Sequence, residues 1–351
     1  MRITNTMMAE NTLRNISKAA NRLASANASV ASNKKIQLAS DDPVVATRAV
    51  TYRSYVSQIK QYQDNASAAK AWQKATDDAL SELTDIIQSA RELTNQAASD
   101  TMSEENRAEI KTNIESLYAQ AVAAMNTTYA GRYVFGGYST SEAPYETTTT
   151  TIGETVTLKG DYLSLGSVVS SAVSDSDILD FYAANSADLY DDTTADQNIV
   201  YNIGFNREVT VNIEGQDVTG SSDGNLFDTF SKLLLALDGD TSYKSVEVDA
   251  GGTATVATKE LDLSSLLDEF SADLDRMLVS QATLGARMDS VTSAVSSLSD
   301  SYTTYKALMS DNEDVDTAEA ATELASAEYT YQAALAVGAK VISKSLIDYI
   351  A

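Results

Sequence analysis

From Leu263 to Met309 apolar residues recur at alternating steps of four and three: Leu263, Leu267, Phe270, Leu274, Met277, Gln281, Leu284, Met288, Val291, Val295, Leu298, Tyr302, Tyr305 and Met309. Only Gln281 interrupts the row. A 3.5-residue period of this length, with no proline and only Gly285 as a glycine, predicts a long helix zipped along a partner helix. Candidate partners lie at the other end of the chain. Ala9, Leu13, Ile16, Ala19, Leu23, Ala26 and Val30 form a thin, alanine-rich row. Leu80, Leu83, Ile87 and Ala90 mark a second long helix, and Ile110, Ile114, Leu117, Ala121 and Ala124 a third.

Local signals set the boundaries. Asp42-Pro43 reads as an N-cap followed by proline at the first helical position, where the missing N–H costs nothing. Ser103-Glu104-Glu105 starts the third helix with two carboxylates near its positive end. At 130–137 the pattern turns to strand and turn, and thirteen of the fifteen glycines lie between Gly131 and Gly252. Val209, Val211 and Ile213 alternate with Thr210 and Asn212, predicting a strand with one buried face that ends in a turn at 214–216. Leu226, Phe227, Phe230, Leu233, Leu234 and Leu237 predict a short helix after Asp223-Gly224-Asn225. Thr147–Thr151 and 188–196 read as solvated loops, and deletion of the threonine run is expected to be tolerated.

Ser310–Asp316 reads as an acidic break, after which a last helix carries a seam at Ala318, Ala321, Ala325, Gln332, Leu335, Ala339, Ile342, Leu346 and Tyr349. Val341, Ile347 and Ile350 add a second stripe. A helix that is apolar on two faces needs more than one neighbour, and the thin row at 9–30 does not suffice. The candidate assembly residues are therefore Ile16, Leu23, Val30, Leu335, Ile342, Leu346, Ile347 and Ile350. The fold expected is α+β: a long antiparallel helical coiled-coil rod formed by the N- and C-terminal segments, with an inserted β-rich domain. Its parts would be terminal helices at 1–42 and 311–351, ordered by assembly; a helical rod at 43–145 and 260–310; and a β-rich outer domain with a short helix at 146–259.

Composition narrows the chemistry. The 351 residues contain no cysteine and no histidine, which removes thiol and Ser-His-Asp catalysis and the usual zinc, haem and iron–sulfur ligand sets. The fifty Asp and Glu are scattered over helix faces and loops, so no enzyme and no cofactor is expected. Asp311–Asp316 lacks the turn glycine and closing glutamate of a calcium loop and reads as a linker. The glycines around Phe135 match no phosphate-binding loop. A net charge of −25 argues against a nucleic-acid partner. Residues 1–60 nevertheless hold nine basic and three acidic side chains, against five and twenty-one over 141–260. A basic N-terminal arm could meet acidic surface on a neighbouring copy, and a merely solvated face is the equal alternative. Met1–Asn15 contains no continuous apolar run, so neither a signal peptide nor a membrane span is expected.

Several stretches resemble the flagellin-like axial proteins of the bacterial flagellum. They are Met1-Arg2-Ile3-Thr4, Ser40-Asp41-Asp42-Pro43, 90–97 (ARELTNQA), 103–107 (SEENR), 131–137 (GRYVFGG), 313–324 (EDVDTAEAATEL) and 344–349 (KSLIDY). Within that group they look most like the hook-associated protein 3 family of hook–filament junction proteins. The resemblance covers roughly 1–145 and 260–351, and 146–260 matches only loosely. Where family members usually have a glycine before the basic pair at Lys34-Lys35, this chain has Asn33, the next-best residue for a left-handed turn. The resemblance implies a structural protein exported through the flagellar type III apparatus and assembled outside the cell in a ring of copies. Its partners would be hook-associated protein 1, flagellin and an export chaperone. A divergent flagellin is the second reading, and a coiled-coil enzyme regulator a distant third.

Overall fold

The computed structural model describes residues 5–98, 103–190, 197–221, 224–249 and 253–347. Its helices are α1 (Asn5–Ser32), α2 (Pro43–Ala97), α3 (Glu104–Met125), α4 (Asp175–Asn185), α5 (Gly215–Thr219), α6 (Leu226–Asp238), α7 (Leu263–Glu313) and α8 (Thr317–Ile347). The strands are β1 (Thr128–Tyr129), β2 (Arg132–Tyr133), β3 (Tyr145–Thr150), β4 (Gly153–Leu158), β5 (Asp161–Tyr162), β6 (Val169–Ser170), β7 (Val200–Gly204), β8 (Arg207–Thr210), β9 (Ser242–Val248) and β10 (Ala254–Glu260). They pair antiparallel in the orders β1-β2, β3-β4-β5, β10-β9-β6 and β7-β8. The fold is α+β, with long N- and C-terminal helices and a small antiparallel sheet region inserted between them. The chain divides into two compact units, Met1–Gln61 with Ser297–Ala351, and Tyr62–Ser296.

The Tyr62–Ser296 unit carries the main core. Leu80, Leu83, Ile87 and Ala90 of α2 are buried with Ile110, Ile114 and Ala121 of α3 and with Phe270, Met277 and Leu284 of α7. Tyr118 packs edge-on against Phe227 and Phe230 at centroid distances of 5.8 and 5.9 Å, and Phe230 against Phe270 at 5.3 Å. None of the fourteen positions of the α7 stripe is exposed. A second row on α7 is also covered: Leu266, Asp273, Ser280 and Ala294 are buried. Polar groups tie this row to the inserted region. The Ser280 hydroxyl donates to the Asp217 carbonyl at 2.9 Å, Arg276 Nη1 to the Thr219 carbonyl at 3.0 Å, and Arg287 Nη1 to the Asn212 carbonyl at 2.7 Å.

The helix starts follow local chemistry. Asp42 Oδ1 accepts from the amides of Val44 and Val45 at 2.9 and 3.1 Å, with Pro43 opening α2. Ser103 caps α3 through the Asn106 amide, and Asn225 caps α6 through those of Phe227 and Asp228. Asn33 takes φ 58°, so it does fill the left-handed position. Asp223 lies outside the described residues.

Four expectations are corrected. Thr147–Thr150 belong to β3, an edge strand paired with β4 from Tyr145↔Leu158 to Thr150↔Gly153, not to a solvated loop. Threonine is β-branched and suits an extended backbone, and at a sheet edge its polar side chain stays wet. Second, the strand expected at 209–213 stops at Thr210. Val211 and Ile213 are buried as expected, but Asn212 between them is only 1% exposed, so burial does not alternate. Its side chain accepts from the Ile199 amide and donates to the Gln197 carbonyl, replacing ladder bonds. Third, 215–219 forms the short helix α5, whose Gly215 lies against the Tyr145 ring while the Tyr145 hydroxyl meets Thr219 Oγ1 at 2.8 Å. Fourth, the acidic break is shorter than expected, because Ser310–Glu313 form the last turn of α7. Acids at a helix C-terminus oppose the dipole, and here Lys34 and Arg53 offset them. Of the expected loop at 188–196, Asp188 ends a 3-10 turn and 191–196 lie outside the described residues.

Candidate assembly surface

Within the unit formed by the two ends, α1 and α8 run antiparallel and approach closely, with Ile16 beside Gly338 and Arg22 paired to Glu323 at 3.5 Å. The contact is made of small residues. Ala19, Ala26, Ala320 and Ala327 are buried, and a Cβ added at Gly338 would lie 2.8 Å from Ile16 Cδ1. Alanine and glycine let helix axes approach more nearly than branched side chains allow. Arg22 and Glu323 are each 55% exposed, so their pairing adds little.

The seam expected on α8 is displaced. The covered row is Ala320, Leu324, Ala327, Tyr331, Ala334 and Gly338, whereas Ala318, Ala321, Ala325, Gln332, Leu335 and Ala339 are exposed. Reading hydrophobicity alone favours leucine over alanine and glycine, and so selects the outward row; close approach favours the reverse. On α1 the expected row holds at Ala9, Ile16, Ala19, Leu23 and Ala26. It fails at Leu13 and Val30, which are 57% and 37% exposed.

Of the candidate assembly residues, Ile16 and Leu23 are therefore half-buried along α1, while Val30 and Leu335 face outward. The side chains of Ile342, Leu346 and Ile347, and Ile350 as a whole, lie outside the described residues. Beside them the structure exposes apolar side chains that the stripe reading passed over: Met7, Met8, Val44, Val50, Tyr329 and Val337. The signal for them is weak in the sequence, because each sits off the heptad row. Intramolecular pairing thus leaves apolar surface on α1, α8 and the start of α2. Among the described residues no group of three or more His, Cys, Asp or Glu side chains is placed to hold a metal ion, and no helix is long and apolar enough to cross a membrane.

Residues 3–140 match the bacterial flagellin N-terminal helical region, and residues 267–350 match the bacterial flagellin C-terminal helical region. The chain belongs to the flagellin-like family. Among relatives of this flagellin-like chain, the flagellar hook-associated protein 3 of Escherichia coli (strain K12) is 32% identical over 146 residues, 41% of this chain and 46% of that protein. The protein of the same name from Salmonella typhimurium (strain LT2) is 30% identical over 150 residues, 42% of this chain and 47% of that protein. The chain spans about half the length of the curated relatives it matches. A solved structure from Vibrio parahaemolyticus, assigned to the flagellar hook-associated proteins, shares the fold with a TM-score of 0.56 at 13% identity. That likeness covers 78% of this chain and 100% of the other, and at such identity it concerns the fold alone. The motif resemblance read from the sequence is borne out.

Proposed function

We propose that this chain is a structural junction protein of the bacterial flagellum. It would bridge hook-associated protein 1 on the hook side and flagellin on the filament side, as a ring of copies. The reading is supported most by the agreement of both ends, in order, with flagellin helical regions, together with similarity to two hook-associated proteins 3. The apolar residues left exposed on α1 and α8 supply the surface that assembly needs. On this reading the chain leaves the cell unfolded with an export chaperone, and its terminal helices gain full order only on assembly. The α1–α8 contact buries mainly alanine, so by itself it offsets ordering entropy poorly.

A divergent flagellin is the alternative, favoured by the same family matches. Polymerisation separates the two. Purified chain seeded on hook–junction fragments should stop at a short ring and then accept flagellin; growth into long filaments of this chain alone would favour the alternative.

A further inference from the structure

The turns that flank α1 and α8 meet at one buried charge. Glu313, the last residue of α7, is 2% exposed; Lys34, in the turn after α1, reaches its Oε2 at 3.0 Å, and Arg53 of α2 reaches the same oxygen at 2.5 Å. Lys34 also pairs with Asp314 at 2.7 Å, and Ser310 holds the other Asp314 oxygen at 2.6 Å. Backbone bonds lie alongside, from the Lys35 amide to the Glu313 carbonyl at 2.7 Å and from the Val315 amide to the Asn33 carbonyl at 3.1 Å. Asn312 donates to the Val45 carbonyl at 3.0 Å, and Lys35 Nζ to the Asp311 carbonyl at 2.6 Å.

Two further facts bear on what this cluster does. Among the described residues the closest backbone approach of α1 is to α8, and neither comes as near to α2 or α7. Glu313 Oε1 is buried with no hydrogen-bond partner among the described residues, so both cations converge on the one oxygen. The carboxylate is held by charge, not by a saturated set of hydrogen bonds. Burial alone would raise its pKa; the bonds from Arg53 and Lys34 outweigh that and keep it below the usual carboxylate range.

We propose that Glu313, Lys34 and Arg53 form an electrostatic latch that fixes the α1–α8 pair to the ends of α2 and α7, and that the pair moves as one body when the latch is opened. Neutralising Glu313 leaves Arg53 without its carboxylate and Lys34 with Asp314 alone, which weakens the attraction that closes the two turns on each other, while the alanine seam between α1 and α8 is untouched. The terminal pair would then present its apolar residues at a new angle without being rebuilt.

The chain has no cysteine, so spin-label pairs can be introduced cleanly into the full-length protein at exposed sites. Asn27 with Ser57 reports α1 against α2, and Asn27 with Glu328 reports α1 against α8. Glu313→Gln keeps the side-chain shape and removes the charge; Arg53→Gln changes a side chain that is 59% exposed and guards against a variant that fails to fold. The expected result is a narrow 27–57 distance distribution in the parent that loses its single peak in Glu313→Gln and broadens less in Arg53→Gln, with the 27–328 distribution unchanged in both. A 27–57 distribution that stays narrow in both variants overturns the latch. Broadening of both distances together in either variant also overturns it, because Glu313 would then hold the pair itself and not its attachment.

Discussion

At Gly338 the missing side chain sets how near α1 comes to α8, since a Cβ there would meet the tip of Ile16. Gly338→Ala should be close to neutral, because Ile16 Cδ1 is the movable end of its side chain and alanine gains about 1 kcal/mol over glycine inside a helix. Gly338→Leu should separate the helices, read as a lengthened 27–328 spin-label distance. Gln73 presents the opposite problem. It is fully buried in the α2 core, and among the described residues neither its Nε2 nor its Oε1 has a partner. Gln73→Leu should raise stability by about 1–3 kcal/mol, the usual cost of an unpaired buried polar group, visible as a higher urea midpoint. Asp273 is the third. Burial pushes its carboxyl up to about 6 from 3.8, and the Arg276 and Thr229 contacts only partly counter this. A raised carboxyl pKa contributes stability that is complete below 3.8 and is lost as pH rises through about 6. Glu214 and Glu313 are shifted the other way, and their contributions fade only as pH falls below 4.5. Between pH 4 and 7 the parent should therefore lose stability that Asp273→Asn does not, by up to about 3 kcal/mol. Parallel pH–urea profiles that do not diverge would contradict the assignment.

Among the elements, the long helices were legible because a period of 3.5 or 3.6 leaves an unmistakable trace: every position of the α7 stripe is covered, and the caps at Asp42, Ser103 and Asn225 act as their residue types suggest. What escaped was set by contacts that no local pattern records. The second α7 row at Asp273 and Ser280 is polar, and it is buried only because α6 and the 212–219 segment dock on it. The covered face of α8 was missed because alanine and glycine carry little hydrophobic signal yet permit the closest packing. The polar run at Thr147–Thr151 hid a strand. Since β3 covers one side of β4 and begins at the buried Tyr145, deleting Thr147–Thr151 should lower the melting temperature of the protein, while Thr149→Ser should leave it unchanged. A deletion that melts like the parent would show that β4 needs no partner on that edge.

The whole chain combines a conventional core in Tyr62–Ser296 with ends whose helices leave apolar side chains uncovered. That contrast is what a chain that completes its folding by assembly should have. Apolar rows are legible in the sequence at both ends, but on α8 the covered row is not the expected seam, and which row faces inward depends on small-residue packing. The most direct measurement of the proposed role is made in a motile strain lacking this protein, by electron microscopy of the cell surface together with assay of the culture medium for flagellin. The account predicts hooks without filaments, flagellin free in the medium, and filaments restored by supplying this chain. Filaments still attached to hooks in its absence would contradict it.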